Sequence, residues 1–190
     1  LVVVPMLLTS EADVEAQVGG LEVHFLGNRE GDLRFALLSD WLDAPTEDVP
    51  GDDELLSAAA AAIDRLNERH GEAPGGDARF LLFHRKRTWN EAEGCWMGWE
   101  RKRGKLHEFN RLLRGADDTS FEALVGDVQR LRNVRYVITL DSDTDLPLDA
   151  ATHRQLVIAR LAELPEEERI LIPSLEQLIG DDAALRQWIV

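Results

Sequence analysis

Continuous apolar runs and helical periodicities alternate along the first half of the chain. Residues 1–8, LVVVPMLL, predict a buried parallel strand, with Pro5 tolerated only where the ladder needs no donor. Ser10 and Asp13 have the spacing of a capping box, and Val14, Val18, Leu21 and Phe25 then recur at helical spacing, although Gly19 and Gly20 weaken that helix. Residues 33–38 predict a second strand that ends at Asp40, an acid just past an apolar run, and Pro45, Pro50 and Gly51 mark the loop after it. Residues 52–69 predict an alanine-rich helix closed by Gly71, with His70 read as a cap that complements the helix dipole. Residues 79–83, RFLLF, are the third strand. A strand, helix, strand, helix, strand order argues for right-handed βαβ units, hence an α/β fold with a mostly parallel sheet flanked by helices.

The second half is less regular. Residues 104–114 predict an amphipathic helix with Leu106, Phe109, Leu112 and Leu113 on one face. Lys105 falls in its first turn, where the dipole disfavours a cation, so it either meets an anionic ligand or snorkels along the surface. Residues 121–131 carry no decisive period. Residues 136–140 are a short apolar strand that stops abruptly at Asp141, Asp143 and Asp145. Beyond residue 151, helical patterns at 153–164 and 175–190 flank a PEEER loop and a short strand at 169–172.

Asp141 and Asp143 carry the candidate chemistry. In an open α/β sheet, ligands bind beyond the carboxyl ends of the strands, where an Asp-X-Asp pair can take a divalent metal together with nucleotide phosphates. An EF-hand loop fails here, because Leu146 stands where glycine is needed and Thr152 where glutamate is needed. A strand followed by Asp-X-Asp also suits an aspartyl-phosphate phosphotransferase with Asp141 as nucleophile, although Asp145 occupies that motif's Thr position. The plain alternative is that these acids make Asx turns and cap the next helix. A second candidate is the segment 84–104, which packs three of the five tryptophans among basic residues. Basic groups beside aromatic platforms can hold a diphosphate and stack on a sugar or base, and Trp96, Trp99, Arg101 and Arg103 are the residues in question. Alternatively the tryptophans pack the loop onto the sheet and the cations stay solvated.

Composition narrows the partners. The net charge of -15 opposes non-specific binding to nucleic acid or anionic lipid, so phosphate must be met by a metal or by a local basic cluster. A single cysteine, Cys95, excludes a disulfide framework and a multi-cysteine metal site. No stretch has the length and apolarity of a signal peptide or membrane span. The chain starts inside an apolar run, which suggests a piece of something longer.

In sequence order, Pro5, Asp40, Gly104 with Lys105 and Asn110, and Asp141 with Asp143 resemble the nucleotide-sugar-binding half of GT-A-fold (Rossmann-like) glycosyltransferases. More narrowly, VVVPMLLTSEADVE, LRFALLSDWLDAP, WMGWERKRGKLHEFNRLLRG and RYVITLDSDTDLP resemble the transferase domain of cyclic β-1,2-glucan synthases, glycosyltransferase family 84. The resemblance covers residues 1–150, a donor-binding part, and leaves 151–190 as a helix-rich segment of uncertain role. It implies inverting transfer of glucose from UDP-glucose to a β-glucan acceptor, in a large membrane-embedded protein whose active site lies on the cytoplasmic face of the bacterial inner membrane. It also implies that Asp40 lies near the uracil or ribose, Lys105 near the diphosphate, and Asp141 and Asp143 at the ribose and a Mn²⁺ or Mg²⁺ ion. Such an ion suits carboxylate and phosphate oxygens. No general base is assignable, and a non-catalytic nucleotide-sugar-binding fragment is the alternative outside enzymes.

Overall fold

The computed structural model describes residues 1–29, 32–134 and 136–141. Asp143, Asp145 and the segment 151–190 lie outside the described residues. The first five elements follow the expected order: β1 (Val2–Leu8), α1 (Glu11–Leu26), β2 (Phe35–Trp41), α2 (Asp52–His70) and β3 (Phe80–Arg85). After them come a short ribbon of β4 (Thr88–Asn90) and β5 (Cys95–Met97), α3 (Arg101–Leu113), β6 (Phe121–Val125), a 3-10 turn (Val128–Leu131) and β7 (Ile138–Thr139). The main sheet has the order β6-β3-β2-β1-β7, and all its pairings are parallel except β3 with β6. The expected α/β architecture is therefore present.

Alternation along the buried strands explains the two helical layers. Val2, Val4, Phe35, Leu37, Phe80 and Leu82 face one side, where α1 and α2 cover them with Val14, Leu21, Phe25, Ala59 and Ile63. The intervening Val3, Ala36, Leu38, Leu81 and Phe83 face Phe109 and Leu113 of α3 and Leu131 of the 3-10 turn. Gly19 and Gly20 do not interrupt α1, because its apolar stripe is buried and packing outweighs propensity. The Ser10 hydroxyl caps α1 by accepting from the Asp13 amide at 3.2 Å.

Several boundaries differ from the sequence expectation, each for a physical reason. The second strand continues through Asp40 to Trp41 and the third through His84 to Arg85, because the polar side chains at their ends find partners within the sheet. The undecided span 121–131 holds β6, whose ladder with β3 is irregular between Leu82 and Phe83, so its sequence shows no clean alternation. His70 does sit at the end of α2, but its ring lies against Phe25 at 5.0 Å and its Nε2 is 2.5 Å from Glu22 Oε1. It ties α2 to α1, and that hydrogen bond is the chief reason the Glu22 carboxyl is held below its usual range.

Pro5 sits within β1, opposite Leu38 of β2, and its effect is on the other neighbour. The amides of Ile138 and Leu140 donate to the Leu1 and Val3 carbonyls, so odd residues of β1 face β7. Pro5 is the next residue on that side, and it has no N–H to offer. The last ladder bond among the described residues is Leu140 to Val3, and Asp141 lies just past it.

His84 generates a pH prediction. Its Nδ1 is 2.9 Å from Ser39 Oγ, its Nε2 is buried without a hydrogen-bond partner among the described residues, and its ring meets Trp41 edge-on at 4.4 Å. Burial, with Lys105 and Arg87 nearby, lowers its pKa from 6.5 to about 3. Between those values the unfolded chain binds a proton that the folded chain does not, so this contribution to stability is full above the unfolded pKa and is lost as pH falls. The urea midpoint is expected to fall between about pH 7 and about pH 5.5, and to fall less in His84→Asn. Equal slopes in the two proteins would refute the assignment.

Candidate functional site

Because β1, β2, β3 and β7 run parallel, their carboxyl ends share one edge, and the loop after β2, the β4–β5 ribbon and the start of α3 gather beside it. Asp40 and Arg85 are register partners on β2 and β3. Their side chains meet in a two-pronged pair, Nε to Oδ1 at 2.8 Å and Nη2 to Oδ2 at 2.9 Å, with exposures of 3% for Asp40 and 0% for Arg85. Lys105 completes the cluster. Its Nζ donates to the Met6 carbonyl at 2.6 Å and lies 3.3 Å from Asp40 Oδ2, while Glu108 stands 3.7 Å from Arg85. Burial lowers the Lys105 pKa from 10.5 to about 8, against the raising effect of Asp40.

This changes the reading of Lys105. The third helix begins at Arg101 rather than at residue 104, so Lys105 is past the first turn and the dipole argument does not apply to it. Its ammonium is 3% exposed and faces the interior. The helix can start early because Gly104 has no Cβ; one built there would lie 1.9 Å from the Trp99 carbonyl oxygen. Gly98 is constrained in the same way, since its Cβ would lie 2.6 Å from Arg85 Nη2 and 2.8 Å from Asp40 Oδ2. Between the two glycines, Glu100 and Arg101 adopt left-handed φ values of 51° and 48°.

The outer layer of the edge is polar and aromatic. Trp99 is half-exposed, with its ring edge-on to His107 at 6.1 Å. Arg101 pairs with Asp43 at 2.8 Å, Arg103 with Glu100 at 2.6 Å, and Lys102 with Asp141, whose side chain is 54% exposed just past β7. Trp96 belongs to the ribbon, where it meets Trp89 edge-on at 6.1 Å. Asn110 sits in the last turn of α3 and accepts from Arg114 Nε at 3.2 Å. The fold thus brings Trp99, Arg101, Lys102 and Asp141 to one edge, sets Asp40 and Lys105 beneath it, and puts Asn110 at the opposite end of α3.

Arg85, Arg87 and Lys102 are the residues that sequence reading missed. Arg87 is buried, donates to the Leu42 and Glu47 carbonyls at 2.8 and 2.9 Å, pairs with Asp52 and stacks over Trp41 at 5.2 Å. The available signal was an arginine closing an apolar strand that pairs with another strand closed by Asp40. The ribbon had a signal too, in two short Trp-centred runs around Glu93 and Gly94.

Asp141 offers a half-exposed carboxylate at a strand end, and the oxygen donors of an Asp-X-Asp pair fit a hard divalent cation. Among the described residues, three or more His, Cys, Asp or Glu side chains nowhere gather as a metal cluster, and Asp143 is not among those residues.

No protein-family model matches the chain. Over 152 residues, 80% of its length, the chain is 53% identical to the cyclic beta-(1,2)-glucan synthase NdvB of Rhizobium meliloti (strain 1021). The two are homologous. The matched region covers 5% of NdvB, so the chain corresponds to a small part of that synthase. Among the described residues, no helix is long and apolar enough to cross a membrane.

The charge count of the buried cluster sets an order of mutational cost. Asp40→Asn leaves two buried cations without their anion, and uncompensated buried charge costs roughly 3–5 kcal/mol. Lys105→Met leaves the Arg85–Asp40 pair neutral overall and fills similar space, so its expected cost is less than ~1.5 kcal/mol. Urea denaturation of both variants checks the order, and a costlier Lys105→Met would contradict it.

Proposed function

We propose that this chain is the donor-binding part of a metal-dependent, inverting glucosyltransferase domain that transfers glucose from UDP-glucose to a β-1,2-glucan. The observation that carries the reading is the homology to a cyclic beta-(1,2)-glucan synthase. The arrangement of the edge supports it, since ligands of open α/β sheets bind beyond the strand ends, where Asp141 and the basic start of α3 lie. In this reading the protein of which the chain is part is membrane-embedded and works on the cytoplasmic face.

The roles follow from the chemistry of each group. Asp141 and Asp143 would hold Mn²⁺ or Mg²⁺, which when bound neutralises the departing diphosphate as a Lewis acid. Lys102, at the start of α3, meets phosphate oxygens. Trp99 offers a face to the sugar or base, and Trp96 with the ribbon borders the acceptor side. Asp40 and Lys105 act from beneath, as the buried support of the donor edge.

Calorimetry with UDP, UDP-glucose and ADP, with and without Mn²⁺, tests the proposal. Metal-dependent binding of both uridine nucleotides, tighter than ADP, is expected. Asp141→Asn and Asp143→Asn should each weaken it by at least about tenfold without changing the urea midpoint, because contacts to charged groups are worth roughly 1.5–3 kcal/mol. Undiminished Mn²⁺-dependent UDP binding in the double variant would remove the metal assignment. A stable aspartyl-phosphate at Asp141 would favour phosphotransfer instead.

A further inference from the structure

Arg85 is fully buried, yet only part of its hydrogen bonding goes to Asp40. Nη1 donates to the Trp99 carbonyl at 2.9 Å and Nη2 to the Arg101 carbonyl at 3.1 Å. Its guanidinium therefore joins the ends of two strands to the backbone that opens α3. That backbone needs holding. Two successive non-glycine residues, Glu100 and Arg101, sit at left-handed φ, a conformation that costs on the order of 1 kcal/mol or more for each. The carbonyl of Trp99 is also trapped, with Gly104 packed so closely that no side chain fits between them. Among the described residues no side chain caps the helix, and its first turn holds no acid.

We infer that Arg85 is a positioning residue: anchored by Asp40, it fixes the backbone of residues 98–104 and so sets the direction in which Trp99 and Lys102 face Asp141. The inference rests on the donor-site reading proposed above and deepens it. A buried ion pair contributes little net stability compared with apolar residues of similar volume, so stability alone does not account for this one. A planar fork of five N–H donors supplies fixed directions, which lysine cannot reproduce. Asp40 uses both oxygens to hold the fork flat, and Lys105 on Oδ2 keeps that carboxylate from turning away. Trp99 and Lys102 lie on the segment that the fork grips, and Lys102 already reaches Asp141 in an ion pair. A small rotation of that segment moves both residues while leaving the sheet in place.

Two variants perturb the clamp from opposite sides. Arg85→Lys keeps the charge against Asp40 but loses the fork. Gly98→Ala keeps every charged group and pushes a methyl into Arg85 and Asp40. Amide hydrogen exchange and calorimetry with UDP and uridine in Mn²⁺, on the full chain, read the result. In both variants the Arg101 and Gly104 amides, which bond to the Gly98 and Glu100 carbonyls at 3.1 Å, are expected to exchange at least about tenfold faster, with β1, β2 and β3 amides unchanged. UDP affinity is expected to fall at least about tenfold and by clearly more than uridine affinity, because Lys102, one of the moved groups, meets the diphosphate. Exchange that rises equally in the sheet and the loop, or equal losses for UDP and uridine, would reduce Arg85 to a structural residue and overturn the inference. Wild-type protein that binds no UDP overturns the donor reading itself, and the loop amides then still decide whether Arg85 holds residues 98–104. If Arg85→Lys fails to fold, Gly98→Ala decides alone.

Discussion

The organisation of the carboxyl edge depends on one buried ion pair, Asp40 with Arg85. Its two members come from neighbouring parallel strands at the same register, so the sheet itself sets their separation. Desolvating both charges is costly, and the cost is met only if every remaining donor finds a fixed acceptor. The acceptors are backbone carbonyls at the start of α3, which ties a loop conformation to sheet register. Lys105 adds a second cation against the same carboxylate and a bond to the Met6 carbonyl, so β1 joins the network as well. Three strands and one helix are thereby locked at a single point.

The same device recurs two residues along. Arg85 reaches toward α3, whereas Arg87 turns to the loop after β2 and holds it through the Leu42 and Glu47 carbonyls and Asp52. Loops over an open sheet edge have few ladder bonds of their own, so buried arginines that collect their carbonyls replace a missing scaffold. On the far side, Pro5 does the opposite. It withholds a donor on the side that faces β7, next to the last described ladder bond and to Asp141. The edge is therefore shaped by two side chains that fix backbone and one that withholds a backbone donor.

These features differ in how legible they were in the sequence. The strand–helix alternation could be read because runs such as LVVVPMLL and RFLLF are buried on both faces and carry the apolar continuity of parallel strands. The Ser10 cap and the Gly71 stop could be read because helix ends need local partners. The reach of β2 and β3 could not. Asp40 looks like a strand terminator until Arg85 is known to lie across from it, and register is non-local information. Lys105 was misplaced for a related reason. The start of α3 depends on the gap at Gly104 and on left-handed residues at 100 and 101, which no helix-start rule anticipates.

Burial divides the charges of the edge into two kinds. Asp40, Arg85 and Lys105 are almost wholly removed from water, and a change of partner there would leave a charge unpaired in a poorly polarisable interior. Lys102 and Asp141 are each about half exposed, so their pairing is weak, screened by salt and readily exchanged. An incoming cation can take Asp141, and an incoming anion can take Lys102, without disturbing the layer below. Such a division suits a chain of net charge -15, in which an anionic ligand finds little general attraction and must be met by a few cations held in fixed directions. Rigid charges beneath and exchangeable charges above give the edge both requirements of a binding site, a preorganised backbone and side chains free to change partners.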